Sequence, residues 1–257
     1  VVSRRRALRG LSGIAGAVVL AELVSRTGLI DQALIPPITV VLQRAAGLVN
    51  DPDFGDGVVA TLEGWAAGLL LAVAAGVLLG LLLGEVRWLG TAARPIVEFC
   101  RTVSPVSLIP LAIVMFPVTF QMKVFLACFA ATWPILINTL YALRDVDPVA
   151  KETLRSFGFG PLAVLWRVSL PAAAPFITTG IRIAASVGLI VVVSSELLAG
   201  DGSGIGGYIM NTQSSGGHTD LMLAAALWTG IIGGLVNGGL VQLERRAFRW
   251  HGRKAAA

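Results

Sequence analysis

Four stretches of the chain, residues 64–84, 123–143, 172–198 and 221–243, run for 20 residues or more with few charged side chains. A helix rises 1.5 Å per residue, so about 20 apolar residues reach across the ~30 Å hydrocarbon core of a bilayer. A water-soluble fold of 257 residues buries a large core but cannot hide this much apolar sequence, 55% of the chain against 14% charged. Mean hydropathy is +0.80. The expected fold class is therefore all-α: a polytopic membrane protein of about six transmembrane helices, forming a single domain over residues 1–257.

In chain order, Arg4, Arg5, Arg6 and Arg9 make a basic tail over residues 1–10. Residues 11–30 are the first expected span. Glu22 and Arg26 lie one helical turn apart there, so they can pair on one face. Without a small-residue cleavage site, this start reads as a retained span rather than a cleavable signal. Residues 31–63 form a mixed linker, with Pro36–Pro37 as a helix stop, a short amphipathic helix over 40–49, and a polar turn around Asp51–Gly57. The second span, 64–84, leads into a loop with Glu85, Arg87, Arg94, Pro95 and Glu98. The third, 101–116, is short and interrupted by Pro105 and Pro110. The fourth, fifth and sixth are 123–143, 172–198 and 221–243, with a Gly-rich segment at 200–217 and a basic tail from 244 to 257.

With six spans and a cytoplasmic N-terminus, both ends lie inside. The inside segments then hold 16 of the 20 lysines and arginines. The outside segments hold Arg44 and Lys123 against seven acidic residues, Asp31, Asp51, Asp53, Asp56, Glu63, Asp201 and Asp220. This is the positive-inside asymmetry, and it accounts for the sequence pI near 9.9 without nucleic acid as a partner.

Residues 147–171 are the longest clearly non-spanning run between apolar blocks of the C-terminal half, and the orientation places them in the cytoplasm. Asp147 is a good N-cap, with Pro148 in the first turn. Gly158 and Gly160 followed by Pro161 end that helix in a tight turn. A second short helix then runs to a break at Pro171. Leu154, Phe157, Leu162, Val164, Leu165 and Trp166 form an apolar ridge available to a partner, among Lys151, Glu152, Arg155 and Arg167.

Other positions leave two readings open. Gly76, Gly80 and Gly84 (with Gly64, Gly68 and Ala72) and Gly230, Gly234 and Gly238 recur every fourth residue, which lets helix backbones approach, either within one bundle or across a dimer. Arg182 and Glu196, in the fifth span, are about 21 Å apart along one face. They either line a pathway, with Arg182 attracting an anion, or serve structure, with Arg182 reaching a neighbouring helix and Glu196 ordering the Gly-rich loop. Gly202, Gly204 and Gly207 match GxGxxG, but outside a βαβ unit the pattern does not bind dinucleotides; an irregular loop dipping into the outer leaflet or docking a partner is expected instead. The chain carries no P-loop and no HExxH. Its two histidines, His218 and His251, are separated by the topology, so neither a catalytic nor a metal site is expected. Cys100 and Cys128 sit in or beside spans without motif spacing and read as reduced and structural.

The spacing of Glu152, Gly158, Val168, Leu170 and Pro171 resembles the cytoplasmic EAA loop of ABC-importer permeases, although Thr153 and Leu154 stand where that loop has alanines. The segments LIPPITVV from Leu34, RTVSPVSLIPLAI from Arg101 and GIRIAASVGLIVVVSSELLAGDGSGIGGYI from Gly180 look like the nitrate, sulfonate and taurine branch of that family. The resemblance implies an inner-membrane permease of a bacterial importer, working as a homodimer with two ABC ATPase subunits and an extracytoplasmic binding protein. It implies that Glu152, Arg155, Phe157, Gly158, Leu162 and Pro171 form the ATPase-coupling loop. ATP and Mg2+ would be held by the partner ATPase, with no cofactor on this chain. The solute implied is a small organic or inorganic anion, with a thiamine-precursor-like or riboflavin-like solute as an alternative. An ion-coupled secondary transporter would work in liposomes without an ATPase.

Overall fold

The computed structural model describes residues 4–27, 31, 34–216 and 218–247. Among these residues the chain forms α1 (Arg4–Arg26), α2 (Ile38–Leu48), α3 (Pro52–Glu85) and α4 (Arg87–Thr102). A 3-10 turn (Pro105–Leu108) leads into α5 (Ile109–Met115), α6 (Thr119–Asp145) and α7 (Pro148–Ser156). There follow α8 (Pro161–Val164), a π-turn (Leu165–Ser169), α9 (Leu170–Ala199), α10 (Gly204–Ser214) and α11 (Thr219–Ala247). Four helical runs are long and apolar enough to cross a membrane: α3, α6, α11 and the run Pro161–Ser214 that contains α9. Trp88–Thr102 with Pro105–Met115, bent by 80°, adds a fifth if it crosses as one broken span. Helix α1, 23 residues, has the length of a span but is less apolar than these.

Several boundaries differ from those expected. The polar turn Asp51–Gly57 is the start of α3, because Asp51 accepts from the backbone N–H of Asp53 (3.0 Å) and Phe54 (3.4 Å) while Pro52 needs no partner in the first turn. The loop expected after residue 84 is helix α4, with Pro95 inside it. The third span does not run straight from 101 to 116 but turns at Val103–Ser104, ahead of Pro105, where the residue preceding a proline is pushed to extended backbone. Part of each basic tail is also helical, since α1 begins at Arg4 and α11 continues to Ala247. Pro171 is no break: α8, the π-turn and α9 run on without interruption. A π-turn just before a proline accommodates the missing N–H and the ring's clash with the carbonyl four residues back.

The core is the sandwich of α3, α6 and α9. Gly68, Gly76, Gly80 and Gly84 of α3 lie directly on Ala127, Ile135, Thr139 and Leu143 of α6. A Cβ on Gly76 would stand 2.8 Å from the Ile135 Cβ, and one on Gly80 would stand 2.6 Å from the Thr139 Cβ. Ala72, fully buried, fills the gap in the stripe. Helix α9 closes on the other side, where Ala184 and Ala185 are buried with Ala131 and Ile135 and the Trp65 indole donates to the Ala185 carbonyl at 2.8 Å. Gly230, Gly234 and Gly238 differ, since an added Cβ at each meets nothing within 4 Å in this chain. We expect Gly76→Leu to cost about 1–3 kcal/mol by overpacking and to lower the thermal midpoint of the detergent-extracted protein, whereas Gly234→Leu leaves the midpoint of the isolated chain unchanged.

Candidate functional site

At residues 147–171, local chemistry builds a defined turn. Asp147 caps α7 through the Val149 N–H (2.9 Å). At its other end, the Gly158 N–H bonds the Arg155 carbonyl (2.9 Å) and the Phe159 N–H bonds the Leu154 carbonyl (3.2 Å). This is the double bond pattern of a Schellman ending, which requires the left-handed φ of +81° at Gly158. Beyond it, the Arg167 guanidinium lies 4.8 Å from the centroid of the Phe159 ring.

Only part of the expected ridge faces outward: Val164 is buried in the fold and Leu154 and Leu165 are half-buried, because the turns of α7, α8 and the π-turn direct them toward the body of the protein. Phe157, Leu162 and Trp166 are 76%, 71% and 65% exposed, and Val149 is exposed beside them. Glu152 and Arg155 are also exposed, and the Glu152 carboxylate has no hydrogen-bond or ion-pair partner among the described residues. Pro171 lies apart from this group, inside the helix that leads into the membrane. Lys151 points back into the molecule, 3.3 Å from the Leu143 carbonyl at the end of α6 and 3.8 Å from Glu85 at the end of α3. The loop therefore offers an apolar surface on one side and is tied to two spans on the other.

The charges within the spans separate. The Arg182 Nη1 reaches Glu244 Oε2 on α11 at 3.5 Å, the structural alternative for that residue. Glu196 is fully buried, and its partner is Lys123, 2.8 Å away on α6. The Thr61 hydroxyl of α3 donates to the same carboxylate at 2.8 Å and accepts from the Ile205 N–H at 2.9 Å. The Gly206 N–H donates to Glu196 at 3.0 Å. Glycine is required here: a Cβ on Gly204 would run into the Glu196 carboxylate, and one on Gly206 would stand 2.6 Å from the Glu196 Cβ. The Gly-rich segment is accordingly not an irregular loop; its residues 204–214 are helix α10, docked by this carboxylate.

Lys123, expected on an outer segment, is only 2% exposed inside the fold. Its position near the start of an apolar run concealed this, but the requirement that a charge in such a run find an opposite partner pointed to an acid such as Glu196. Thr61 gave no signal in the sequence. At the same end of the bundle, Tyr208 donates to Asp51 (2.9 Å) and packs edge-on against Phe54, while Thr119 donates to Asp201. The Arg44–Asp220 pair (2.7 Å) and the Trp228 indole bonded to the Ala45 carbonyl (2.8 Å) seat α2 on α11.

Comparison with known proteins agrees with this architecture. Residues 72–249 match the family described as the binding-protein-dependent transport system inner membrane component, and the chain belongs to that family. It is 34% identical over 239 residues to the taurine transport system permease protein TauC of Escherichia coli K12, covering 89% of this chain and 84% of that one. It is 32% identical over 216 residues to the nitrate import permease protein NrtB of Leptolyngbya laminosa, covering 80% and 76%. The bicarbonate transport system permease protein CmpB of Synechococcus elongatus is 28% identical over 249 residues, covering 93% and 88%. Among solved structures, the inward-facing MetNI methionine ABC transporter superposes with a TM-score of 0.67 at 19% identity over 75% of this chain and 95% of that one. A bacterial ABC transporter for alginate also gives 0.67, at 17% identity over 93% and 99%. These two likenesses concern the fold.

Removing one member of a buried ion pair strands the other charge. We expect Lys123→Met to destabilise the protein by about 3–5 kcal/mol, and Lys123→Met with Glu196→Gln to recover part of that loss, read as thermal midpoints in detergent. Equal midpoints for the single and double variants would contradict the pairing.

Proposed function

We propose that this chain is the permease subunit of an ATP-driven importer in a bacterial cytoplasmic membrane, passing a small anion from an extracytoplasmic binding protein into the cell. The observation that carries the reading is the exposed ridge of Phe157, Leu162 and Trp166 on a loop tied through Lys151 to two spans. An amphipathic helix with an unpartnered apolar face suits a groove on another protein. Membership of the binding-protein-dependent family makes that partner an ABC ATPase. The chain has no P-loop, so ATP and Mg2+ belong to the ATPase and this subunit is not itself an enzyme. Glu152 would orient the docked helix through a charged contact, with Arg155 beside it and Gly158 holding the turn.

The relatives named for nitrate, bicarbonate and taurine transport support an anion as the solute. Two ATPases on two copies of this loop fit a homodimer, and the open stripe of Gly230, Gly234 and Gly238 on α11 leaves room for close helix approach in such an assembly. The distribution of basic residues favours both termini in the cytoplasm. Closure of the paired ATPases would then rotate the coupling helices as rigid bodies and drive the spans between inward-open and outward-open states.

The test is ATP hydrolysis by this chain reconstituted in liposomes with its candidate ATPase subunit. We expect robust activity that collapses in Glu152→Ala; failure of the two proteins to associate would overturn the assignment. In the same system Gly158→Val, forced to φ +81°, should insert normally yet abolish uptake, because a branched side chain is strongly disfavoured in the left-handed region. Wild-type uptake by that variant would remove the turn from the mechanism.

A further inference from the structure

Helix α4 carries exposed charges along the face that borders α6. Trp88, Ile96 and Phe99 line one face and are 64–73% exposed. Arg94, Glu98 and Arg101 instead line a cleft against α6, where Tyr141 and Arg144 form the facing wall. The spacing explains both sets: 94, 98 and 101 share one helical face, and 141 and 144 share another. These arginines are exposed, and what they share is one cleft between two helices. The cleft is about 100 Å³, room for several waters or one small oxyanion.

The cleft does not end at Arg101. Arg101 and Ile137 also line a second cavity of about 460 Å³, beneath the bend between α4 and α5 and walled by Pro105, Trp133 and Val187 of α9. The cleft thus shares Arg101 and Ile137 with that cavity and reaches from the bend toward Gly90, near the start of α4, and Arg144, near the end of α6. Its charged lining is three arginines and one carboxylate, and the carboxylate is already engaged, Glu98 pairing with Arg101 at 2.7 Å. Arg94 and Arg144 make no ion pair or hydrogen bond through their side chains among the described residues. Unpaired guanidinium forks in a confined cleft are geometrically suited to a planar or tetrahedral oxyanion, and a hydroxyl such as that of Tyr141 adds a further donor. Low-dielectric walls also focus the field and concentrate counter-ions.

We propose that the α4–α6 cleft is a binding station for the transported oxyanion on its way to the cytoplasm, with Arg94, Arg101 and Arg144 as its ligands. The proposal rests on the reading of the solute as an anion. Glu98 positions Arg101 rather than touching the solute. The shared chemistry, an oxygen anion, could also come from a phospholipid headgroup, so the test separates the two sources.

Trp133 on the cavity wall provides the reporter. The full-length chain is placed in phosphatidylcholine nanodiscs, and the fluorescence component that disappears in Trp133→Phe is followed as iodide, an anionic quencher, or acrylamide, a neutral one, is added. In the doubly substituted Arg101→Gln/Arg144→Gln protein the iodide quenching constant should fall about tenfold while the acrylamide constant is unchanged. Nitrate, bicarbonate or methanesulfonate should protect the wild type from iodide. An iodide constant that the double substitution does not change would overturn the station. Protection by phosphatidylglycerol in the nanodisc but by none of the soluble anions would also overturn it, assigning the cleft to lipid. Uptake by the assembled wild-type importer is scored separately: failure to import any of these anions refutes the substrate reading, whereas iodide selectivity at Trp133 tests only the cleft.

Discussion

The close approach of α3 and α6 is the constraint on which the other contacts rest. Between helices in lipid the hydrophobic effect offers little, so association depends on packing and on the contacts that packing permits. A glycine at nearly every fourth position of α3 brings its backbone against the side chains of Ala127, Ile135, Thr139 and Leu143. This pairing extends along about 30 Å of helix, from Gly64 to Gly84.

Each end of that contact carries one of the other features. At the outer end, Gly64 leaves room for the Lys123 stem, which lies 3.0 Å from where a Cβ would be. The ammonium thereby reaches Glu196, and the carboxylate in turn holds the first turn of α10. At the other end, Gly84 rests on Leu143, whose carbonyl receives Lys151 of α7. One stiff pair of helices therefore joins the outer polar network to the loop proposed to meet the ATPase.

Burying Lys123 and Glu196 is costly in itself, and a buried pair is seldom more stabilising than well-packed apolar side chains. What the pair adds is direction. The Glu196 carboxylate accepts from Lys123, Thr61 and the Gly206 N–H, so α3, α6, α9 and α10 must meet in one arrangement. Arg182 serves a lesser purpose of the same kind, reaching across to Glu244 on α11. The charged face of α4 stands apart from this pattern, since two of its cleft's three arginines are not consumed by internal pairs.

The amino-acid sequence by itself determined what depends on neighbours along the chain. Long apolar runs set the long apolar helices, and Asp147, Pro148 and Gly158 set the defined ends of α7. The spacing of Glu152, Gly158 and Pro171 was enough to suggest the family. The start of α3 was misjudged because Asp51 and Pro52 cap a helix with the same residues that make a turn. Helix α4 was missed because its charges, read in order, resemble a loop, although the spacing of Arg94, Glu98 and Arg101 puts them on one helical face. Which charge meets which was decided by the tertiary structure alone. Lys123 finds Glu196 rather than water, and Arg182 finds Glu244, because the α3–α6–α9 packing brings distant positions together. The two glycine stripes, alike in sequence, likewise differ in what lies opposite them: α6 fills the first, and nothing among the described residues fills the second.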